Sequence, residues 1–195
     1  MTALNPLKIL VAWVAEEHAL GIPFAHGAVL STLGADGTSH SRMLGVLFDA
    51  AGTPRFNTSP MSRKVRDISL NNAASLTFAF QKSMRSISLE GYLEALSMEQ
   101  LVTDWRNLDI EFRKNYLVFG HQTGRAIKSL DDLRLQQSSL PLDAEQNCPQ
   151  SFIGYAFRAV QRITFYSVAE RDFATHEIFE FDQAAGGWRS SLNAP

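Results

Sequence analysis

A single cysteine, Cys148, stands in the 195 residues of this chain. A lone thiol excludes an internal disulfide framework and a cysteine-based zinc cluster, and it fits a reducing compartment. Cys148 lies between Asn147 and Pro149 in a loop-like stretch with no activating neighbour, so it reads as a bystander, not a nucleophile. Charge of one sign is lacking too: 18 Lys and Arg face 20 Asp and Glu, a formal net charge of -2. That balance exerts no global pull toward nucleic acid or an anionic membrane, so neither is expected as a partner and any anion site must be local. No run approaches the length that spans a bilayer. Segment 9–15 is apolar but short, and Glu16, Glu17 and His18 follow it without a cleavage pattern, so the expected location is cytoplasmic. There is no internal repeat and no low-complexity tract. No histidine sits in a metal-binding motif, and no metal is expected.

What is there belongs to a folded, soluble chain: 45% hydrophobic and 19% charged residues, at the upper end of one ordinary domain. Residues 1–195 are expected to form one domain. Leu4, Leu7, Val11, Val14 and Ala15 mark one face of an amphipathic helix, opened by Asn5-Pro6 and closed near Gly21. Strands follow. Segment 27–33, a Gly34-Ala35-Asp36-Gly37 turn and a strand over 38–48 form a first hairpin; 53–58, 73–80 and 86–96 read as further strands. The middle is helical over 97–107, opened by a capping-box pattern at Ser97 and Gln100, over 109–119 and over 129–139. A linker over 140–149 leads to strands at 152–159, 161–168 and 175–181 and a short one around Trp188. Short antiparallel strands with few helices between them predict an α+β, mainly β fold: a small barrel without exposed edges, flanked by helices.

The richest chemistry lies between Ser41 and Lys64. Arg42 sits where a polar strand turns apolar, and Asp49-Ala50-Ala51-Gly52 supplies a turn. If Phe48 pairs with Thr53, antiparallel register places Arg42 opposite Ser59. Val65, Ile68 and Leu70 then follow a helical period, with Ser59 as the N-cap and Pro60 at the first helical position. Open backbone N–H groups there, with Ser62, Arg63 and Lys64 beside them, make an anion site whose natural guest is a phosphate. The same residues also fit a solvated helix start carrying ordinary surface charges.

Several stretches, in this order and spacing, resemble the pyridoxamine 5'-phosphate oxidase family, whose members bind FMN in a split β-barrel. They are Arg42-Met43-Leu44, Asn57-Thr58, Ser62-Arg63-Lys64, Asn72-Ala73-Ala74, Arg85 with Gly91, and His121-Gln122-Thr123-Gly124-Arg125. Segments 152–155 and 163–166, and Trp188 before Ala194-Pro195, continue the likeness, which runs from about Leu7 to the end. The resemblance implies that Arg42 and Lys64 clamp the FMN phosphate, with Arg63 and Thr58 assisting, and it counts Asn57 and Ser62 among the cofactor-binding residues. It places the backbone of Met43 and Leu44 beside the flavin ring, and Ser86 and Tyr166 along it. Gln122 and Thr123 match a pair contributed from the second subunit, so a homodimer with FMN at its interface is implied. Residues 150–195 resemble the family's C-terminal dimerisation region.

Departures from the family pattern fall on the substrate side. Leu47 stands where the family places a lysine for the substrate's phosphate, and Ser86 stands where a glutamine faces the flavin. Tyr166 replaces a tryptophan. The family's Arg-x-His-x-Arg motif corresponds to residues 174–178, which keep His176, lose both arginines and add Glu177. His176 and Arg171 are candidate substrate contacts, although a surface strand histidine is the plainer reading of His176. No general acid or base is evident, and no catalytic residue is assigned. The implied activity is FMN-dependent oxidation of a small organic substrate, with pyridoxine and pyridoxamine phosphates expected to turn over poorly. The alternative is a non-catalytic split-barrel protein holding FMN, or haem through His26, His40, His121 or His176.

Overall fold

A computed structural model of the chain describes residues 5–195. Helix α1 (Pro6–Ala19) opens as its sequence requires: Asn5 Oδ1 accepts from the Leu7 N–H at 3.0 Å, and Pro6 occupies the first turn, where no donor is needed. Its buried face differs from expectation. Leu10 is fully buried with Leu7, Trp13 and Val14 against the core, whereas Ala15 is exposed and Leu4 lies outside the described residues. Glu17 is buried instead, since its carboxylate accepts from Lys82 N (3.0 Å) and Ser83 Oγ (2.9 Å).

The strands are β1 (Gly27–Leu33), β2 (Ser39–Gly45), β3 (Leu47–Phe48), β4 (Pro54–Thr58), β5 (Ala73–Phe80), β6 (Arg85–Ala95), β7 (Ile153–Ser167), β8 (Thr175–Asp182) and β9 (Gly187–Asn193). Helix α2 (Arg63–Leu70) follows β4. Helices α3 (Met98–Asn107), α4 (Ile110–Phe119) and α5 (Leu130–Ser138), with a 3-10 turn at Ala144–Gln146, separate β6 from β7. Pairing is antiparallel throughout, in the order β2-β1-β5-β6-β7-β4-β3, with β8 and β9 added beyond β7. The two ends of that order, β2 and β3, are consecutive in the chain and separated by Val46 alone. The sheet therefore curls back on itself as a split barrel. Leu30, Leu76, Leu89 and Ile163 form one cross-strand row through its interior, each fully buried. A second cluster, Leu96, Leu101, Trp105, Tyr116 and Phe152, seats α3 and α4 against the barrel. No helix among the described residues is long and apolar enough to cross a membrane.

Four expectations are corrected. The strand over 38–48 is broken at Val46, whose side chain is buried and whose N–H turns to His26 O at 3.0 Å. Phe48 pairs with Pro54, one residue off, and Arg42 faces Leu30 on β1, not Ser59. Helix α2 starts three residues late, with Ser62 and not Ser59 at its N-cap. The Ser59 hydroxyl is not available for capping because it donates to Gly120 O. The two strands expected over 152–168 are one strand, β7. Its extra residues are absorbed as irregularities against β6, where Gly91 lets the backbones close in: a Cβ there would sit 2.3 Å from Ala159 O.

Candidate functional site

Barrel closure brings the end of β4, the start of α2 and the inner face of β2 to one place. Thr58 ends β4, and a turn with Ser62 N–H on Ser59 O (3.1 Å) feeds α2. Thr58, Ser59 and Ser62 are all buried, with Thr58 Oγ1 and Ser62 Oγ 3.2 Å apart. Lys64, in the first turn, swings back and donates to Thr58 Oγ1 at 2.9 Å. Burial and the positive charge of Arg42 together push the Lys64 ammonium down to about 8. Two cations in each other's field at a hydroxyl-lined helix start fit a phosphate, whose charge would relieve both.

Arg42 alternates with outward-facing Ser41 and Met43, which sets its side chain on the inner face of β2. There Nη1 donates to Thr32 Oγ1 (2.7 Å) and Leu30 O (3.3 Å), and Nη2 lies 3.5 Å from Asp67 Oδ2. Burial lowers the Arg42 pKa, and Asp67 opposes that. Asp67 also accepts from Thr32 Oγ1 (2.7 Å) and from His40 Nδ1 (2.9 Å). Arg63 is exposed and reaches the other nitrogen of His40. Sequence reasoning missed Thr32 and Asp67, and offered His40 only as a haem ligand, not as part of this cluster. The signal was there: polar residues at inward positions of strands that otherwise alternate, and an acid one helical turn after Arg63.

Beside Lys64 and Thr58 opens a cavity of about 470 Å³. Phe24, Leu47, Phe112, Phe119 and Phe152 form much of its wall, and Lys64 is its only Lys, Arg, Asp or Glu. At the back, the Tyr116 hydroxyl lies between Thr58 O (2.6 Å) and Ser151 O (2.5 Å), which share its one proton, and burial raises its pKa. Asn57 lines the wall and donates to Asp104 Oδ2 at 3.3 Å; Arg55 holds the other oxygen at 2.7 Å. Burial raises the Asp104 pKa against the pull of that guanidinium. Thr123 lines the same cavity and donates to Phe119 O (3.1 Å). Gln122 turns to Val118 O (3.2 Å) and Gln136 Oε1 (3.0 Å).

The remaining expected residues lie elsewhere. Ser86, Tyr166 and His176 are register partners on one outward row across β6, β7 and β8, with the Tyr166 and His176 rings 6.0 Å apart at 69°. His176 Nδ1 donates to Ala194 O at 3.2 Å. Glu177 pairs with Phe165, whose side chain is buried, so it faces away from that row. Arg171 is exposed in the turn after β7 and bonds to none of these residues. Met43 is exposed at 63%, and Leu44 points inward against the core. Among the described residues, no hydrogen bond joins the Ser86–Tyr166–His176 row to the Arg42–Lys64 cluster.

Residues 14–136 match the sequence model of a family described as pyridoxamine 5'-phosphate oxidase. The pyridoxine/pyridoxamine 5'-phosphate oxidase of Dichelobacter nodosus is 26% identical over 197 residues, which cover 99% of this chain and 90% of that protein. The protein of the same name in Bordetella avium is 31% identical over 99 residues, 50% of this chain and 47% of its own length. Among solved structures, PhzG from Burkholderia lata, in complex with tetrahydrophenazine-1-carboxylic acid, superposes with a TM-score of 0.83 at 18% identity, covering 98% of this chain and 93% of its own. A pyridoxamine 5'-phosphate oxidase-related, FMN binding protein from Nostoc punctiforme gives 0.82 at 16% identity, with both chains fully covered. At those identities the likeness is one of fold.

Proposed function

Because the chain belongs to the pyridoxamine 5'-phosphate oxidase family, whose model matches more than half of it, we propose that it is an FMN-dependent oxidoreductase acting on a small organic substrate. The observation that carries this reading is Lys64 in the wall of the aromatic-lined cavity, with Arg42 near enough for its charge to act on the ammonium. In it, Lys64 and Arg42 hold the phosphate of FMN, the Thr58 and Ser62 hydroxyls supply neutral contacts, and Arg63 closes the exposed side. The main chain of Met43 and Leu44 flanks the ring system, Asn57 lines the approach, and Ser86 and Tyr166 border the far end. When bound, FMN supplies hydride acceptance, and the protein's part is to orient substrate and exclude water.

Arg42 faces the interior of the sheet and the Ser86–Tyr166–His176 row faces outward, with no hydrogen bond joining them among the described residues, which favours a homodimer. A second copy would bring its Gln122–Thr123 turn to the cofactor, and residues 150–195 would contribute to the contact. Outward-facing Val29 and Met43, register partners on β1 and β2, offer an apolar patch for the same purpose.

A phosphorylated substrate fits poorly. Lys64 is the one Lys or Arg in the wall among the described residues, and this reading gives it to the cofactor; Leu47 and Phe112 line the remainder. Losing a charged contact to a bound phosphate costs about 1.5–3 kcal/mol. The test is anaerobic mixing of FMN-loaded protein with reduced nitrogen heterocycles and, separately, pyridoxamine phosphate. Bleaching of the flavin by a heterocycle but not by the phosphate is expected. Preferential bleaching by the phosphate overturns the substrate assignment, and a flavin that no reductant bleaches marks a non-catalytic carrier.

A further inference from the structure

Asp67 is 5% exposed, and a carboxylate buried beside a phosphate-binding cluster is at first sight misplaced. Its surroundings explain it. Thr32, also buried, spends its one hydroxyl proton on Asp67 Oδ2 at 2.7 Å, which leaves the Thr32 oxygen as an acceptor for Arg42 Nη1 at 2.7 Å. The second Nη1 proton goes to Leu30 O at 3.3 Å, and Nη2 faces Asp67 itself at 3.5 Å. The end of the guanidinium is thereby occupied. The side edge, made of the Nε–H and the second Nη2 proton, has no partner among the described residues, and that edge suits a two-pronged grip on a phosphate. The same carboxylate oxygen takes His40 Nδ1–H at 2.9 Å, which leaves His40 Nε2, approached also by Thr38 Oγ1 at 3.0 Å, as the acceptor that Arg63 reaches. One buried acid thus fixes the attitude of two guanidiniums from different elements. Arg42, Arg63 and Lys64 still outnumber it, so the cluster stays cationic.

We propose that Asp67 is the positioning residue of the phosphate site, presenting the side edge of Arg42 through Thr32 and placing Arg63 through His40. This inference rests on the FMN reading above and adds to it the residues that orient the clamp. It requires Asp67 to matter for the phosphate and not for the ring.

The test compares FMN with riboflavin, which lacks the phosphate, by titrating apo wild type, Asp67→Asn, Thr32→Val and Thr32→Ser. Asp67→Asn and Thr32→Val should each weaken FMN binding about tenfold or more, the loss expected of one misdirected charged hydrogen bond. Riboflavin binding should stay within about twofold in the same variants, and Thr32→Ser, which keeps the hydroxyl, should retain the wild-type preference for FMN. An equal loss for both flavins, or an unchanged FMN-to-riboflavin ratio, overturns the positioning role while leaving the FMN reading intact. Should Asp67→Asn fail to fold, the Thr32 pair decides by the same ratio. A wild type that binds neither flavin removes the FMN reading, and the proposal falls with it.

Discussion

At the scale of single residues, Lys64 gives the site a defined pH response. Its ammonium form is the one that pairs with a phosphate, and burial with the Arg42 charge holds the pKa at about 8 in the unliganded protein. A bound dianion stabilises the protonated form and raises that value, so above about pH 8 binding must take up a proton. FMN affinity is therefore expected to fall with rising pH above that point, by up to about tenfold per unit, while riboflavin affinity stays flat. Lys64→Arg should flatten the FMN curve, because a guanidinium keeps its charge. A wild-type FMN affinity that is constant between pH 7.5 and 9.5 would contradict the account. Arg42 and Lys64 were legible in the sequence because charge and hydroxyls crowd a short stretch. Asp67 was not, because its meaning depends on Thr32 and His40, which only strand pairing brings to it.

Between elements, Tyr116 ties α4 to the barrel at the site. Its hydroxyl bridges main-chain carbonyls at the end of β4 and just before β7. Tyr116→Phe removes the one hydroxyl proton that the two buried carbonyls share and should cost about 1–3 kcal/mol, or a melting decrease of roughly 2–4 °C per kcal/mol for a chain of this size. A melting temperature equal to wild type would show that water or a shift of α4 satisfies those carbonyls. Local chemistry made most elements readable: the Ser97–Gln100 capping box, the Asn5–Pro6 start and the alternation in β5 and β6 all appear as the sequence implies. Two features escaped it for a common reason. The Val46 break and the late start of α2 are set by partners distant in sequence, His26 O and Gly120 O, which local patterns do not reveal.

For the whole molecule, the separation of the Arg42–Lys64 cluster from the Ser86–Tyr166–His176 row turns cofactor binding into a prediction about assembly. The protein should run as a dimer, and Met43→Asp, which charges the outward patch shared with Val29, should weaken it by 2 kcal/mol or more, roughly thirtyfold. FMN affinity should fall in parallel, with the fold retained by circular dichroism. Light scattering that finds a monomer binding FMN as tightly as wild type would place the entire site within one chain. The barrel was readable, from short strands and few helices, as was its lack of exposed edges, but which strands meet to close it was not. Closure depends on β2 and β3 being neighbours in the chain and opposite ends of the sheet order.

The most direct test is a titration of apo protein with FMN, with riboflavin in parallel, for wild type, Arg42→Ala and Lys64→Ala. The account predicts tight FMN binding by wild type, a loss of at least about tenfold in each variant, and little change for riboflavin. If the variants bind FMN as wild type does, or if wild type ignores FMN altogether, the cation pair at the end of β4 is not a flavin phosphate site.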